Sequence, residues 1–111
     1  MKQGEIWLVE FPDGVGHEYN KNRPALVIES DIQLNRTNII TVIPLTSQIT
    51  NCLSEDISVP VDTQNKLFVD SILKVHHINS FDPSRFIKKF GNISADILLQ
   101  VKNYLKIHFA L

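Results

Sequence analysis

Arg23 stands directly before Pro24 and the apolar run Ala25-Leu26-Val27-Ile28. A planar guanidinium at the mouth of a strand can grip a phosphate through two parallel N–H donors and steady the charge that builds on it. Thr46 and Ser47 close a second apolar run, which begins at Ile39, and Glu18 lies in the polar stretch between the two strands that precede it. Each residue also has a plainer explanation. Arg23 can pair with Glu29 or Asp31 at the surface, and hydroxyls after a strand are ordinary turn residues. Taken together, a loop glutamate, an arginine opening one strand and hydroxyls closing another can converge on one cleft.

Other chemistries leave no trace. The histidines (His17, His76, His77, His108) and the single Cys52 show neither CxxC nor HxxxH spacing, and no GxxxxGK loop is present. Neither a metal site nor a cofactor is therefore expected. His76 and His77 read as strand neighbours that point to opposite faces, and His108 as a surface residue near a helix end. The formal net charge of −1 argues against a protein that coats nucleic acid, but a local positive patch would suffice to hold a few phosphates. One cysteine cannot pair within the chain, which fits a reducing compartment. The opening MKQGEIWLVEF places Glu5 and Glu10 where a signal peptide would be apolar. No apolar run approaches membrane-spanning length. A cytoplasmic protein with no membrane contact is expected.

The elements that must position these residues fit one domain, residues 1–111, with 43% hydrophobic and 21% charged residues. Gly4 to Phe11, Pro24 to Glu29 and Ile39 to Leu45 read as strands, the last apolar on both faces as an interior strand would be. Val15 to Asn22 reads as a loop, long for a compact domain, and long loops are where function concentrates. Asp56 to Val61 and an unusually long Leu67 to Ile78 read as further strands, the latter bending around a corner. Asp82-Pro83 predicts a short helical turn before a segment around Ile87 to Gly91. Ser94 predicts a helix cap, with Asp96 in the first turn. Ile97, Val101, Tyr104, Leu105 and His108 then follow at helical spacing to about residue 109. The class is mostly β (a β-rich α+β fold), with a C-terminal helix packed on a small antiparallel sheet.

Three motifs in order, Arg23-Pro24-Ala25-Leu26-Val27-Ile28, Pro44-Leu45-Thr46-Ser47 and Asp70-Ser71 at the start of the long strand, make the chain resemble the MazF/PemK family of toxins from bacterial type II toxin–antitoxin systems. The resemblance runs from Gly4 to the C-terminal helix. It implies a small, strongly bent antiparallel barrel of the PemK/CcdB-like type, usually a homodimer. It also implies metal-independent cleavage of single-stranded RNA at short motifs, in which the ribose 2′-OH attacks its own phosphate. Arg23 would hold the scissile phosphate, Thr46 would work beside it, and Glu18 matches the acidic residue of the loop. Tyr19, Asn20, Lys21, Ser47, Gln48, Ser71 and Asn79 would contact RNA. The implied partners are the RNA substrate and a cognate antitoxin, with operator DNA reached only through the antitoxin.

The chain departs from the family pattern at three places, one of them Tyr19-Asn20-Lys21-Asn22, where a glycine-rich stretch is common. His17 stands where a small residue is common, and His76-His77-Ile78-Asn79 where the pattern is acidic-Gln-Ile-Arg. His17 and His77 are candidates for acid–base work near neutral pH. A binding toxin of the gyrase-inhibitor type, or an inactive relative that only binds antitoxin, is the alternative. The Arg23 and Thr46 pair favours the nuclease, because a gyrase binder has no need of it.

Overall fold

The computed structural model describes residues 1–12, 22–49 and 53–111. The apolar runs become strands β1 (Glu5–Glu10), β2 (Asn22–Val27) and β3 (Ile40–Thr46). Between β2 and β3 lies a one-turn helix, α1 (Asp31–Leu34), absent from the sequence reading; Ser30 caps it by accepting the Gln33 N–H at 3.2 Å. There follow β4 (Ile57–Val59), β5 (Ser71–Leu73) and β6 (Asn79–Phe81). A 3-10 turn at Pro83–Arg85, capped by Asp82 as expected, leads into β7 (Phe86–Asn92). Helix α2 (Ala95–His108) starts at the predicted cap, where the Ser94 hydroxyl accepts the Ile97 N–H.

The strands form one antiparallel sheet in the order β4-β5-β3-β2-β1-β7, with β6 also paired to β3. Among the described residues the two ends, β4 and β7, do not pair, so the expected barrel is here an open sheet. β3 is its hub: one edge carries β2, and the other carries β6 and then β5 end to end.

That arrangement corrects the long strand expected from Leu67 to Ile78. Thr46 pairs with Ile72 and Val42 with Asn79, so the five residues from Val42 to Thr46 oppose eight of the returning chain. The three extra residues make a bulge that holds His76 and His77. Pro44 explains its position. The Pro44 carbonyl accepts the Lys74 N–H at 3.1 Å, so the side of β3 that faces the bulge is the side on which proline has no N–H to donate. In that turn the two histidines do not point to opposite faces of a strand; their rings meet edge to face at 4.5 Å.

Both faces of the sheet are buried. On the first, Ile6, Leu26, Ile43, Leu45, Val59 and Leu73 pack against Ile97 and Val101 of α2. On the second, Val9, Phe11, Ala25, Val27, Val42 and Phe81 form a separate cluster. Alternation along the strands assigns Arg23, Thr46 and Asn79 to the second face and Pro24, Ser47 and Ser71 to the first.

Candidate active site

The β2–β3 register continues to set Arg23 opposite Thr46, because Ala25 pairs with Pro44 and Leu26 with Ile43. The side chains meet: Arg23 Nη1 donates to Thr46 Oγ1 at 3.2 Å. The half-buried guanidinium lies on Thr46, while Glu29 accepts the Thr41 N–H and Asp31 accepts the Gln3 N–H.

Thr46 is buried, and its oxygen also accepts the Gln48 N–H at 3.1 Å. A hydroxyl has two acceptor lone pairs and one proton. With both lone pairs facing donors, Thr46 has only its proton left to offer, and no acceptor for it is found among the described residues. Guanidinium and hydroxyl thus present donors on one spot, which suits a phosphate oxygen and repels a cation.

The remaining candidates divide. Ser47 and Gln48 are exposed immediately after Thr46. Ser71 is buried on the first face, its hydroxyl donating to the Val69 carbonyl at 3.1 Å. Asn79, half-buried on the second face, donates to the His77 carbonyl at 3.3 Å. His77 stands in the bulge opposite Pro44, two residues from Thr46 along β3. His17, Glu18, Tyr19, Asn20 and Lys21 lie outside the described residues, as does Cys52. Among the described residues no cluster of three or more His, Cys, Asp or Glu side chains could hold a metal, and no helix is long and apolar enough to cross a membrane.

One feature near the site escaped the sequence reading. Lys74 Nζ lies 2.9 Å from Asp56 Oδ2, and both side chains are almost fully buried. The same carboxylate oxygen accepts the Leu53 N–H at 2.9 Å, and its other oxygen stands 3.9 Å from His76 Nδ1. A carboxylate therefore ties the end of the segment that begins at Ser47 to the exit of β5. The available signal was a lysine inside the apolar run Ile72-Leu73-Lys74-Val75; a charge there needs a partner.

Comparison with known proteins agrees over the whole chain. Endoribonuclease MazF9 of Mycobacterium tuberculosis is 33% identical over 117 aligned residues, covering 100% of this chain and 98% of that protein. The crystal structure of MazF from Deinococcus radiodurans superposes with a TM-score of 0.82 at 24% identity, covering 100% of this chain and 97% of that one. A MazE–MazF complex from the same organism gives 0.79 at 22% identity, with 100% and 97% covered. Residues 2–109 match the profile of the PemK-like, MazF-like toxins of type II toxin–antitoxin systems, and the chain belongs to that family.

Proposed function

We propose that the chain is the toxin of a type II toxin–antitoxin pair and an endoribonuclease that cuts single-stranded RNA at short sequence motifs without a metal ion. The observation that carries this reading is the paired donor surface of Arg23 and Thr46 at the end of β2 and β3. The name of the MazF9 relative, an endoribonuclease, supports it.

In the reaction the ribose 2′-oxygen bonds to the adjacent phosphorus and the bond from phosphorus to the 5′-oxygen breaks. The products are a 2′,3′-cyclic phosphate and a free 5′-OH. Charge grows on the non-bridging oxygens, where Arg23 and Thr46 place their donors; removing one such donor commonly costs ~3 kcal/mol of barrier. A base takes the 2′-OH proton and an acid supplies one to the leaving 5′-oxygen. Glu18, His17 and His77 are the candidates for these two roles. Tyr19, Asn20, Lys21, Ser47, Gln48, Ser71 and Asn79 complete the proposed RNA contacts.

The protein works as a cytoplasmic homodimer with an isologous interface. A cognate antitoxin, of the kind present in the MazE–MazF complex, lays acidic residues near Arg23 and competes with RNA. Operator DNA is reached only through that antitoxin. Incubation of purified protein with long single-stranded RNA in EDTA tests the reading. Discrete fragments bearing 5′-OH ends are expected. No cleavage across varied RNAs at micromolar protein would replace the nuclease with a binding toxin.

A further inference from the structure

At the same end of the sheet as the Arg23–Thr46 pair, but on its other face, lies a cavity of about 260 Å³ lined by Pro24, Leu45, Ser47, Ser71, Phe90 and the segment Leu67-Phe68-Val69. It is the part of the first sheet face beyond the core that α2 covers. Phe68 is 87% exposed, although its ring is large and apolar. A contiguous exposed apolar surface of this kind marks an interaction site.

The mount of Phe68 is firm. Asn65, fully buried, donates to the Pro60 carbonyl at 2.9 Å and accepts the N–H groups of Asp62 and Leu67. The Asn92 N–H of β7 donates to the Gln64 carbonyl at 2.9 Å. The arch of residues 60–70 between β4 and β5 is therefore fastened to the sheet on both sides, and it presents Phe68 to the Phe90 ring at 6.1 Å in an edge-to-face pair. Lys88 Nζ stands 5.5 Å from the centre of the Phe90 ring. The carboxylate of the rim, Asp70, is engaged by the Val61 N–H at 2.8 Å.

We propose that Phe68, Phe90 and Lys88 form a stacking subsite for a nucleobase of single-stranded RNA next to the scissile phosphate. The proposal rests on the RNA-cleaving function proposed above. Three features select a nucleotide over another occupant. Unpaired bases stack on aromatic side chains in proteins that bind single strands. A lysine at the rim supplies the charge that a backbone phosphate needs. The cavity also lies at the same end of the sheet as the phosphate-binding pair, on the opposite face: Pro24 and Ser47 line it, and they are the chain neighbours of Arg23 and Thr46. Because β2 begins and β3 ends there, a strand crossing that end sets its phosphate on one face and its next base on the other.

The test uses a single-stranded RNA oligonucleotide carrying the cleaved motif, made uncleavable by a 2′-deoxy nucleotide at the cut position. Phe68→Ala should bind it about tenfold more weakly than wild type. Phe68→Leu, which keeps apolar area without a ring, should be as weak. Phe68→Trp should bind within about twofold of wild type, and its added emission should be quenched on binding. An abasic nucleotide at the stacked position should weaken wild type but not Phe68→Ala. Lys88→Gln should lower affinity and flatten the salt dependence, by about 0.7 in log–log slope for one lost phosphate contact. Unchanged RNA affinity in Phe68→Ala and Phe68→Leu overturns the subsite alone. So does a change confined to antitoxin affinity or to mass by light scattering, which assigns the patch to a protein partner. Wild-type protein that does not bind the oligonucleotide overturns the RNA reading and the subsite together.

Discussion

Replacing Lys74 by methionine tests whether the buried ion pair braces the sheet beside the site. Lys74 is 5% exposed and its Nζ lies 2.9 Å from Asp56 Oδ2. At that separation the attraction in a low-dielectric interior is large, but taking both charges out of water costs a similar amount. The net contribution of the pair against an apolar substitute is therefore near zero. Removal of one partner is different, because the other charge stays buried, and typical losses are about 3–5 kcal/mol. Methionine copies the lysine stem, so little packing is lost, and the Leu53 N–H still faces Asp56. These two considerations place Lys74→Met at the lower bound, about 3 kcal/mol. The double change Lys74→Met with Asp56→Leu should recover most of that, giving a coupling of about 2 kcal/mol or more. Urea unfolding at pH 7, followed by the single tryptophan and by circular dichroism, measures each corner of the cycle. A single-variant loss below about 1 kcal/mol, or an additive double, would refute the reasoning.

Gly91 of β7 faces the arch so closely that a Cβ there would overlap the Gln64 carbonyl oxygen and come within 2.7 Å of the Asn65 oxygen. Gly91→Ala should cost about 2–3 kcal/mol by overpacking, lowering the melting temperature by roughly 10 °C; a thermal melt like wild type would show that the arch is not pinned. Burial works to raise the Glu5 carboxyl, but hydrogen bonds from the Trp7 indole, the Lys2 backbone and Lys89, with the Lys89 charge, outweigh it and hold the group below its ordinary value. A depressed folded value gives stability that is present above the unfolded pKa and lost as pH falls through the folded one. Glu5→Gln should therefore cost roughly 1 kcal/mol at neutral pH and match wild type in acid, read from urea midpoints against pH; a gap that persists in acid would contradict this.

The pattern of what was legible follows from what local sequence encodes. Helix α2 was readable because its cap, its first-turn acid and its buried stripe all lie within the helix itself. β1, β2 and β3 were readable for the same reason, with ends that shift by one or two residues. The break between β5 and β6 was not, because its cause lies on another strand: Pro44 withholds a donor from a neighbour some thirty positions later in the chain. The meeting of Arg23 and Thr46 was inferred from residue types and from resemblance; the register supplies the physical reason that motif order alone could not. The separation of Ser47 and Ser71 from Thr46 across the sheet was hidden too, since it depends on which residues of each strand share a face. Lys74 carried a visible signal, a charge in an apolar run, but its partner is local to neither motif.

The most direct test of the central claim is the single-turnover cleavage rate of Arg23→Ala and Arg23→Lys on single-stranded RNA in EDTA, measured beside their melting temperatures. If Arg23 holds the phosphate with the planar fork that also reaches Thr46, Arg23→Ala slows cleavage by ~100-fold or more. Arg23→Lys keeps the charge, loses the fork and recovers only a small part of that rate. Both variants should melt close to wild type, since the hydrogen bond from the half-buried Arg23 to the Thr46 hydroxyl contributes about 1 kcal/mol. Full activity in Arg23→Ala at an unchanged melting temperature would place the reaction elsewhere on the protein and contradict the account.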